Sequence, residues 1–377
     1  MSRIVEYVDD KDATAGSADD PRSMLKEIHQ QPGVIEATLQ GLVDLGRPDG
    51  LSVYGVLSEG KLAAIRRVVL LGCGTSWHSA LVGKFMLETL CRLPVEVEVA
   101  SEFRYRCLTL DLPMLAVAIS QSGETVDMLG AARAARASGA TLVAISNARG
   151  SSLSREADGV LYTRSGPEIG VAATTAFGAQ LAALAVLAIR IGRAQGSLSA
   201  AQARRLIQEL VEIPRLVTRA LAAEPLVVAI ARRLRHRENF LYLARGINVP
   251  VALEGALRLK EIADVHAEGH PAGEMAHGLI TLIDDTVPVV VIVPKGRLHD
   301  KLIGCIDDVK ARHGVVIALA TEGDLDIAGK TGHVVYCPSV PELFEPLVFS
   351  VAVQLLACHI ALFRERDVEQ ANNSRRT

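Results

Sequence analysis

The sequence predicts an α/β protein of two similar halves, each a mostly parallel sheet flanked by helices in the manner of nucleotide-binding folds. Short unbroken apolar runs alternate with amphipathic helical segments along most of the chain, and continuous apolar runs are typical of strands buried on both faces of a parallel sheet. Apolar residues make up 49% of the 377 residues and aromatic residues only 4%, which suits helices packed on such strands better than a sandwich or barrel. The length allows two domains, each with its own core.

Nine apolar runs are predicted to be strands. In chain order they are RVVLLG, VEVEVA, MLAVAIS, TLVAIS and GVLYT, followed by FLYLAR, PVVVIVP, GVVIALA and HVVYC. Ahead of them, residues 22–40 predict a short helix within a mixed, charged segment that resembles an arm or linker. The alanine-rich stretch from Ala172 to Ile191 contains Gln180 and Arg190, so it is predicted to be a buried core helix and not a membrane span.

The two halves align with each other at a constant spacing. Gly74 precedes Glu102 by 28 residues, and Gly246 precedes Glu274 by 28 residues. The runs MLAVAISQSG and VVVIVPKG then follow at nearly the same offset. A repeat at one spacing indicates an internal duplication of one α/β unit, with a diverged second copy.

Charge and cysteine content exclude several classes of partner and site. The net charge is −3, which gives no electrostatic reason to expect nucleic acid or an anionic membrane as a partner. The six cysteines form no C-x-x-C pair and no cluster with zinc spacing. The N-terminus lacks the basic-then-apolar order of a signal peptide. We therefore expect a reduced, cytoplasmic protein without a metal or other cofactor.

The first half contains the strongest chemical signal, in the segment AISQSGETVDML. Ser120, Ser122 and Thr125 surround a glycine at the point where a buried strand ends and a helix begins. Backbone N–H groups, the helix dipole and the hydroxyl groups would converge there on a phosphate dianion. The alternative is a simple N-cap by Ser122 or Thr125. Thr75 and Ser76, after an earlier strand, are expected to face the same crevice.

In the second half the matching loop reads VPKG and has no crowd of hydroxyl groups. The two halves are therefore predicted to have different functions, and the first half is predicted to bind the anion.

The helix of the second half carries Glu254, Arg258 and Glu261 at positions i, i+4 and i+7, which is one stripe of a helix. A salt-bridged surface stripe is about equally expected for an average helix. The adjoining Leu257 and Val265 favour partial burial, which would raise a carboxylate pKa and suit a general base.

Several motifs then carry a family resemblance. They occur in the order CGTS, ASEFRYR, SQSGET, EIGVA, ALEGALRLKE, HAE, GEMAHG and DVEQ. Together they resemble the isomerase part of the glutamine:fructose-6-phosphate amidotransferase, or glucosamine-6-phosphate synthase, family over roughly residues 25–370. That part is a pair of sugar isomerase (SIS) domains, and SIS-type glucosamine-6-phosphate deaminases are relatives of it.

The resemblance implies two tandem SIS domains and no cofactor. The predicted organisation is an arm or linker over residues 1–50, a sugar-phosphate-binding SIS domain over 51–195, a helical connection over 196–230, a SIS domain with the catalytic residues over 231–366, and a tail over 367–377.

The resemblance also implies roles for individual residues. Glu261 would move the proton between C1 and C2 of the sugar, Glu254 would be a neighbouring carboxylate, and His277 would open the sugar ring. Without the motif, a hydrogen-bonded loop histidine is the simpler interpretation of His277. Arg258 is assigned from its own chemistry: as a permanent cation beside a carboxylate pair, it would stabilise an enolate oxygen or orient Glu261, or only pair with Glu254. The implied substrate contacts are Thr75, Ser76, Ser120, Gln121, Ser122, Thr125 and Val171.

Three positions depart from the family pattern. Arg376 stands where the family has an imine-forming lysine, Arg258 replaces a lysine, and Ala173 replaces a sugar-contacting serine. Arginine stays protonated and is a poor imine former. In the family the histidine reaches the site from the other subunit, so a homodimer is implied. Because the sequence has no glutaminase segment, we expect free ammonia or a separate glutaminase partner to supply nitrogen.

The leading hypothesis is an enzyme that interconverts fructose 6-phosphate plus ammonia and glucosamine 6-phosphate, with a modest preference for deamination or ammonia-dependent synthesis. The first alternative is a hexose-phosphate isomerase without nitrogen chemistry. The second is a non-catalytic sugar-phosphate sensor, although about 50 acidic N-terminal residues do not suggest a DNA-binding unit.

Overall fold

The computed structural model describes residues 21–52, 57–106, 113–166 and 173–374, with side chains described as far as residue 365. Two five-stranded parallel sheets form its framework. The first contains β1 (Arg67–Gly72), β2 (Val95–Val99), β3 (Met114–Ser120), β4 (Thr141–Ser146) and β5 (Gly159–Tyr162). The second contains β6 (Asn239–Ala244), β7 (His266–Pro271), β8 (Val289–Val293), β9 (Val316–Thr321) and β10 (Val334–Cys337).

The two sheets have the same topology. The strand order is β2-β1-β3-β4-β5 in the first and β7-β6-β8-β9-β10 in the second, and every pairing is parallel. The first strand of each half pairs with the second and third, as expected of one duplicated unit. Glu102 lies in the short helix after β2, and Glu274 lies in the 3₁₀ turn after β7. The predicted α/β fold of two similar halves is confirmed.

One strand, β7, was not among the predicted runs. Its sequence HAEGHP is polar because β7 is an edge strand, which among the described strands pairs only with β6. Most of its residues are partly or fully exposed. Its Ala267 is buried and faces inward. An edge strand of this kind needs neither the continuous apolar run nor the β-branched residues that identify interior strands.

Helices cover both faces of the sheets. Among the described residues they are α1 (Pro21–Leu42), α2 (Glu59–Ala64), α3 (Thr75–Cys91), α4 (Ala100–Phe103), α5 (Val126–Ala137), α6 (Ser152–Glu156), α7 (Thr174–Ala194), α8 (Ala200–Val211), α9 (Ile213–Leu221), α10 (Glu224–Leu234), α11 (Val249–Ala263), α12 (His299–Ala311), α13 (Leu325–Ala328) and α14 (Glu345–Ser374). Short 3₁₀ turns span Gly246–Asn248, Ala272–Ala276, Leu279–Leu282 and Glu342–Phe344.

Helix α1 is longer than the short helix expected in an arm. Met24, Ile28 and Ile35 are buried in the main core, and the helix packs against α7, α9 and α14. Pro32 lies inside it and cannot donate to the carbonyl of Ile28. The side-chain amide of Gln31 donates to that carbonyl instead, at 3.2 Å. Residues 21–42 are therefore part of the folded body.

Helices α7 and α14 form the apolar centre shared by both halves. Helix α7 contains residues 174–191 of the stretch predicted to be a core helix, and 94% of its most apolar part is buried. Ala172, where the predicted stretch begins, lies outside the described residues. Residues Glu342–Glu365 are also long and apolar enough to cross a membrane, with 89% of their most apolar part buried. Burial of this extent is typical of the core helices of a folded protein, so both helices are weak evidence for a membrane span. The predicted core helix is confirmed.

Two helices that begin at equivalent places bring the halves together. Helix α3 follows β1, α11 follows β6, and the two pack against each other. Their first turns therefore lie at the carboxyl ends of the sheets, where open parallel sheets bind ligands.

Candidate functional site

The hydroxyl-rich loop between β3 and α5 lines a small cleft. The cleft has a volume of about 170 Å³ and is lined by Cys73, Ser76, Ile119, Ser120, Gln121, Ser122, Thr125 and Met128. Five of the seven residues expected to contact substrate are therefore brought together here. A sixth, Thr75, adjoins Ser76 at the start of α3. Val171 lies outside the described residues.

The loop does not use its hydroxyl groups to cap α5. Thr125 is the N-cap residue, yet its side chain makes no capping hydrogen bond. Ser122 Oγ accepts from the backbone N–H of Glu124 at 3.2 Å, and Ser120 Oγ accepts from that of Gly123 at 3.1 Å. The first-turn N–H groups of α5 therefore receive no side-chain oxygen from Thr125, and such N–H groups at a helix N-terminus can bind an anion. The simple N-cap alternative does not describe this loop.

Gly123 is required for the shape of the loop. Its φ is +66°, in the left-handed region, and a Cβ built on it would lie 2.3 Å from Ser151 Oγ. Ser151 caps α6 by accepting from Ser154 N–H at 3.3 Å. The carboxylate of Glu124 turns away from the cleft and accepts from Ser152 N–H at 2.8 Å. The loop is thus held by its neighbour without placing a carboxylate in the cleft.

Glu254 lies at the junction of the two halves and is fully buried. Its Oε2 is 2.6 Å from Nδ1 of His78 on α3, and its Oε1 accepts from the guanidinium of Arg258 and, at 3.3 Å, from the hydroxyl of Thr75. Burial opposes ionisation, but the Arg258 charge and the His78 hydrogen bond outweigh it and lower the pKa of the Glu254 carboxyl. Both oxygens of the buried Glu254 carboxylate therefore have hydrogen-bond partners among the neighbouring side chains.

Arg258 is the centre of this network. Its side chain is 1% exposed, and its Nη2 donates to Glu254, to Thr75 Oγ1 at 2.6 Å and to the carbonyl of Ala173 at 3.1 Å. Its Nη1 donates to Glu261 Oε2 at 2.7 Å. Glu254, Arg258 and Glu261 on α11 are thus ion-paired, as expected for a salt-bridged stripe. Unlike the residues of a solvated surface stripe, Glu254 and Arg258 are buried, and α11 packs against α3.

Glu261 lies at the open side of the network. Its side chain is 30% exposed, and Oε2 accepts from Arg258. Burial raises the pKa of the Glu261 carboxyl above its ordinary value, Arg258 opposes the rise, and the charge of Glu254 adds to it. Among the described residues, its Oε1 makes no hydrogen bond. A partly buried carboxylate with one engaged and one available oxygen can act as a proton acceptor.

His277 is not joined to this network within the described residues. It follows the 3₁₀ turn Ala272–Ala276, is exposed, and its backbone N–H donates to the carbonyl of Glu274 at 2.9 Å. Its side chain makes no hydrogen bond with Glu254, Arg258 or Glu261. An implied role in a site of another subunit is compatible with this exposure.

The equivalent edge of the second sheet is occupied by its own charged side chains. The backbone N–H of Lys295, in the VPKG loop, donates to Thr321 Oγ1 at 2.9 Å. His299 Nε2 lies 2.6 Å from the buried Asp324 carboxylate. Ligand atoms of His299, Asp324 and Asp326 lie within 4.8 Å of one another, but the Lys295 ammonium is 3.9 Å from both carboxylates. That cation disfavours a metal ion at this place.

Sequence reasoning missed two polar residues at the site. His78 lies one turn beyond Thr75, and Gln180 on α7 donates to Ser76 Oγ at 3.0 Å while accepting from Ser79 Oγ at 2.8 Å. The i, i+3 spacing within GTSWH was a signal for His78. A polar residue that interrupts an apolar helix was the signal for Gln180.

Two further positions that depart from the family pattern can be compared with the structure. The backbone carbonyl of Ala173 accepts a hydrogen bond from Arg258, and Arg376 lies outside the described residues.

A larger groove, of about 620 Å³, lies between α1 and α9. None of the candidate site residues that the structure describes lines it. The site is therefore identified by its chemistry and not by the size of its cavity.

Comparison with known proteins identifies two matching regions and several close relatives. Residues 61–190 and 233–364 match the family model of the SIS domain. The chain is 48% identical over 353 residues to the glutamine–fructose-6-phosphate aminotransferase (isomerizing) of Thermus thermophilus, covering 94% of this chain and 58% of that protein. It is 44% identical over 358 residues to the protein of the same name from Streptomyces coelicolor, covering 93% and 57%. The chain thus spans less than two thirds of these relatives.

Solved structures give the same picture. The C-terminal domain of glucosamine-fructose-6-phosphate aminotransferase from Francisella tularensis matches with a TM-score of 0.86 and 34% identity, covering 91% of this chain and 96% of that one. Glucosamine-6-phosphate deaminase from Thermotoga maritima matches with a TM-score of 0.69 at 19% identity, covering 91% and 95%. The second likeness is one of fold alone.

Proposed function

We infer the function of this chain from its family: it belongs to the SIS-domain family and to its group of glucosamine-fructose-6-phosphate aminotransferase C-terminal domains. We propose that it interconverts a ketose 6-phosphate and a 2-amino-aldose 6-phosphate. Fructose 6-phosphate, with ammonia, and glucosamine 6-phosphate are the proposed pair. The proposed reaction is either deamination of glucosamine 6-phosphate or its synthesis from fructose 6-phosphate and ammonia. The resemblance that the motifs indicated supports this choice of sugars.

One observation carries the proposal: Glu261, with a raised pKa, is bonded to a buried guanidinium beside the hydroxyl cleft. Isomerisation of a hexose phosphate moves a proton between C1 and C2 through an enediol or enolamine. It needs one carboxylate that can reach both carbons. Glu261 is that carboxylate in our proposal, and its Oε1 takes up the proton while Oε2 stays with Arg258.

The remaining residues hold the sugar and stabilise charge. The phosphate lies in the cleft between Ser120 and Thr125, where hydroxyl groups and the N-terminus of α5 meet it. Arg258 offers a fixed positive charge close to the base and lowers the energy of the enolate oxygen. Glu254 and Thr75 keep the guanidinium in place. His277 opens the sugar ring, and its exposure supports its action in the site of a partner subunit, so we propose a homodimer.

A second candidate function is a hexose-phosphate isomerase without nitrogen chemistry. Arg376 favours it, because this residue stands where the family has its imine-forming lysine, and arginine stays protonated and is a poor imine former. In this case the same base, cleft and ring-opening histidine act on hexose 6-phosphates alone. Both candidates place the protein among enzymes of sugar phosphates in the cytoplasm.

The test is a panel of hexose and aminohexose 6-phosphates, each incubated with the purified protein in the presence and absence of ammonium. Fructose 6-phosphate and ammonia released together from glucosamine 6-phosphate, or glucosamine 6-phosphate formed from fructose 6-phosphate and ammonium, would support nitrogen chemistry. An isomeric sugar without ammonia would refute it and favour the isomerase. Binding of sugar phosphates without any turnover would refute both and favour a sensor.

A further inference from the structure

We propose that His78 is a positioning residue of this site, which fixes the buried Glu254 carboxylate and thereby keeps the Arg258 guanidinium shared with Glu261. The inference rests on the proposed function and deepens it. Sequence motifs and family resemblance gave His78 no role. Its position on α3, the helix of the first half that meets α11, makes it the group through which one half influences the base carried by the other.

The geometry of the contact is specific. His78 is 7% exposed, Glu254 is fully buried, and Nδ1 of the ring lies 2.6 Å from Glu254 Oε2. An ionised carboxylate only accepts hydrogen bonds, so Nδ1 carries the hydrogen. Oε1 of Glu254 is already bonded to Arg258 and Thr75. His78 is therefore the donor to the second oxygen among the described residues.

Loss of this donor would change the charge of the network. A buried carboxylate whose Oε2 has no partner favours its protonated form. Once Glu254 is neutral, Glu261 is the only charged carboxylate of the α11 stripe, and it alone pairs with the charge of Arg258. The repulsion of Glu261 by Glu254 also disappears, and both changes lower the pKa of Glu261. The ionisable groups that act on Glu261 are Arg258 and Glu254 on its own helix and His78 on α3. His78 itself lowers the pKa of Glu261, but its effect is the smallest of these, so its loss opposes the shift without reversing it.

The structure contains a matched control for a merely structural histidine. His299 is 6% exposed and lies 2.6 Å from the buried Asp324 carboxylate, in the second half and without contact to Glu254, Arg258 or Glu261 among the described residues. The two pairs have the same chemistry and burial. Replacing His299 should therefore cost folding stability of a similar kind without changing the base.

The experiment compares His78→Phe, His78→Asn and His299→Phe in the reaction of the wild-type protein. Asparagine places its Nδ2 donor where the imidazole has Nδ1, so His78→Asn should stay within ~3-fold of wild type. His78→Phe should lower kcat by ~10-fold or more with little change in KM, and should move the acid limb of the pH profile to lower pH. His299→Phe should leave kcat and the acid limb unchanged.

Glu254→Gln and the double variant His78→Phe/Glu254→Gln complete the cycle. Because both changes remove the same charge, the double variant should lose no more activity than Glu254→Gln alone, and its acid limb should coincide with that of the single variants. The inference is overturned if His78→Phe retains wild-type kcat and acid limb, if His78→Asn loses as much as His78→Phe, or if the two losses multiply.

The failure of the proposed function is distinguishable from the failure of this inference. Absence of turnover by the wild-type protein on the whole sugar panel would reject the function. The same cycle measured by thermal unfolding then decides the positioning role: coupled, non-additive decreases of Tm for His78→Phe and Glu254→Gln support it, and additive decreases overturn it.

Discussion

Arg258 and Glu261 are joined by a hydrogen bond of 2.7 Å between Nη1 and Oε2, one turn apart on the helix that the second half contributes to the site. The same guanidinium is bonded to Glu254 and to Thr75 of the other half. One buried cation thus connects the proposed base to both halves. Burial still keeps the pKa of the Glu261 carboxyl above its ordinary value, against the opposing effect of the cation.

Replacement of Arg258 by methionine should damage both stability and activity. Glu254 would remain fully buried without its cation, and breaking a buried pair on one side costs about 3–5 kcal/mol of unfolding free energy. Loss of the charge beside the base should lower kcat/KM by ~100-fold or more. Chemical denaturation and initial rates measure the two effects.

Two further variants separate charge from shape at this position. Glu254→Gln/Arg258→Met removes both charges and should recover much of the stability lost in Arg258→Met. Arg258→Lys keeps the charge but offers one nitrogen where Arg258 uses two, so it should fold and retain reduced activity. Equal stability of Arg258→Met and wild type would contradict the central place given to the guanidinium.

The pH dependence of activity should reflect Glu261. A general base must be deprotonated to act, so kcat/KM should fall as pH decreases through the pKa of this carboxyl. Since burial raises that pKa above the ordinary value of 4.5, the acid limb should lie above pH 4.5. A pH profile between 4 and 9, measured with an enzyme that stays folded throughout, checks this. A limb at or below 4.5 would speak against Glu261 as the base.

The hydroxyl loop should act in binding and not in the chemical step. Thr125→Val and Ser122→Ala each remove one hydrogen bond to a charged phosphate, which is worth about 1.5–3 kcal/mol and corresponds to a KM increase of ~10- to 100-fold. Ser138→Ala, at the other end of α5, loses only a 3.0 Å bond to the carbonyl of Ala134 and serves as the control. Unchanged KM values in both loop variants would place the phosphate elsewhere.

A pH-dependent effect on stability is expected at the start of α14. Burial raises the pKa of Glu345 to about 7, although Asn248 donates to it at 2.6 Å. A raised carboxyl pKa stabilises the fold at low pH, and this contribution is lost as pH rises from 4.5 to about 7. Glu345→Gln stays neutral, so its stability relative to wild type should increase over that range by up to about 3 kcal/mol.

The control for this measurement is Glu342→Gln, an exposed partner of Arg297 on the preceding turn. Its effect on the free energy of unfolding should be small and should not follow the same pH range. A stability difference between Glu345→Gln and wild type that is constant from pH 4.5 to 8 would contradict the raised pKa.

Nine of the strands could be predicted, because eight read as continuous apolar runs and β2 alternates valine with glutamate. The spacing from Gly74 to Glu102 and from Gly246 to Glu274 indicated the duplication. The tenth, β7, escaped because an edge strand need not be apolar. Helix α1 was expected in an arm, since nothing local in residues 22–40 shows that α1, with its buried Met24 and Ile28, packs against α7 and α14 from distant parts of the chain.

The site was predictable where its chemistry is local. Ser120, Ser122 and Thr125 lie within six residues, and Glu254, Arg258 and Glu261 share one helix face. Spacing therefore made both groups candidates, and the family resemblance implied their roles. The bond between His78 and Glu254 joins residues 176 positions apart. Such a contact exists only after α3 and α11 pack together, and no periodicity in the sequence encodes it.

The most direct test of the central claim is turnover by Glu261→Gln. The amide has the shape of the carboxylate and can still accept from Arg258, but it cannot take up a proton. We predict that the variant binds fructose 6-phosphate with an affinity close to that of wild type, measured by calorimetry, and loses ~100-fold or more of kcat with the sugar that the wild-type protein converts. Wild-type turnover by Glu261→Gln would contradict the account.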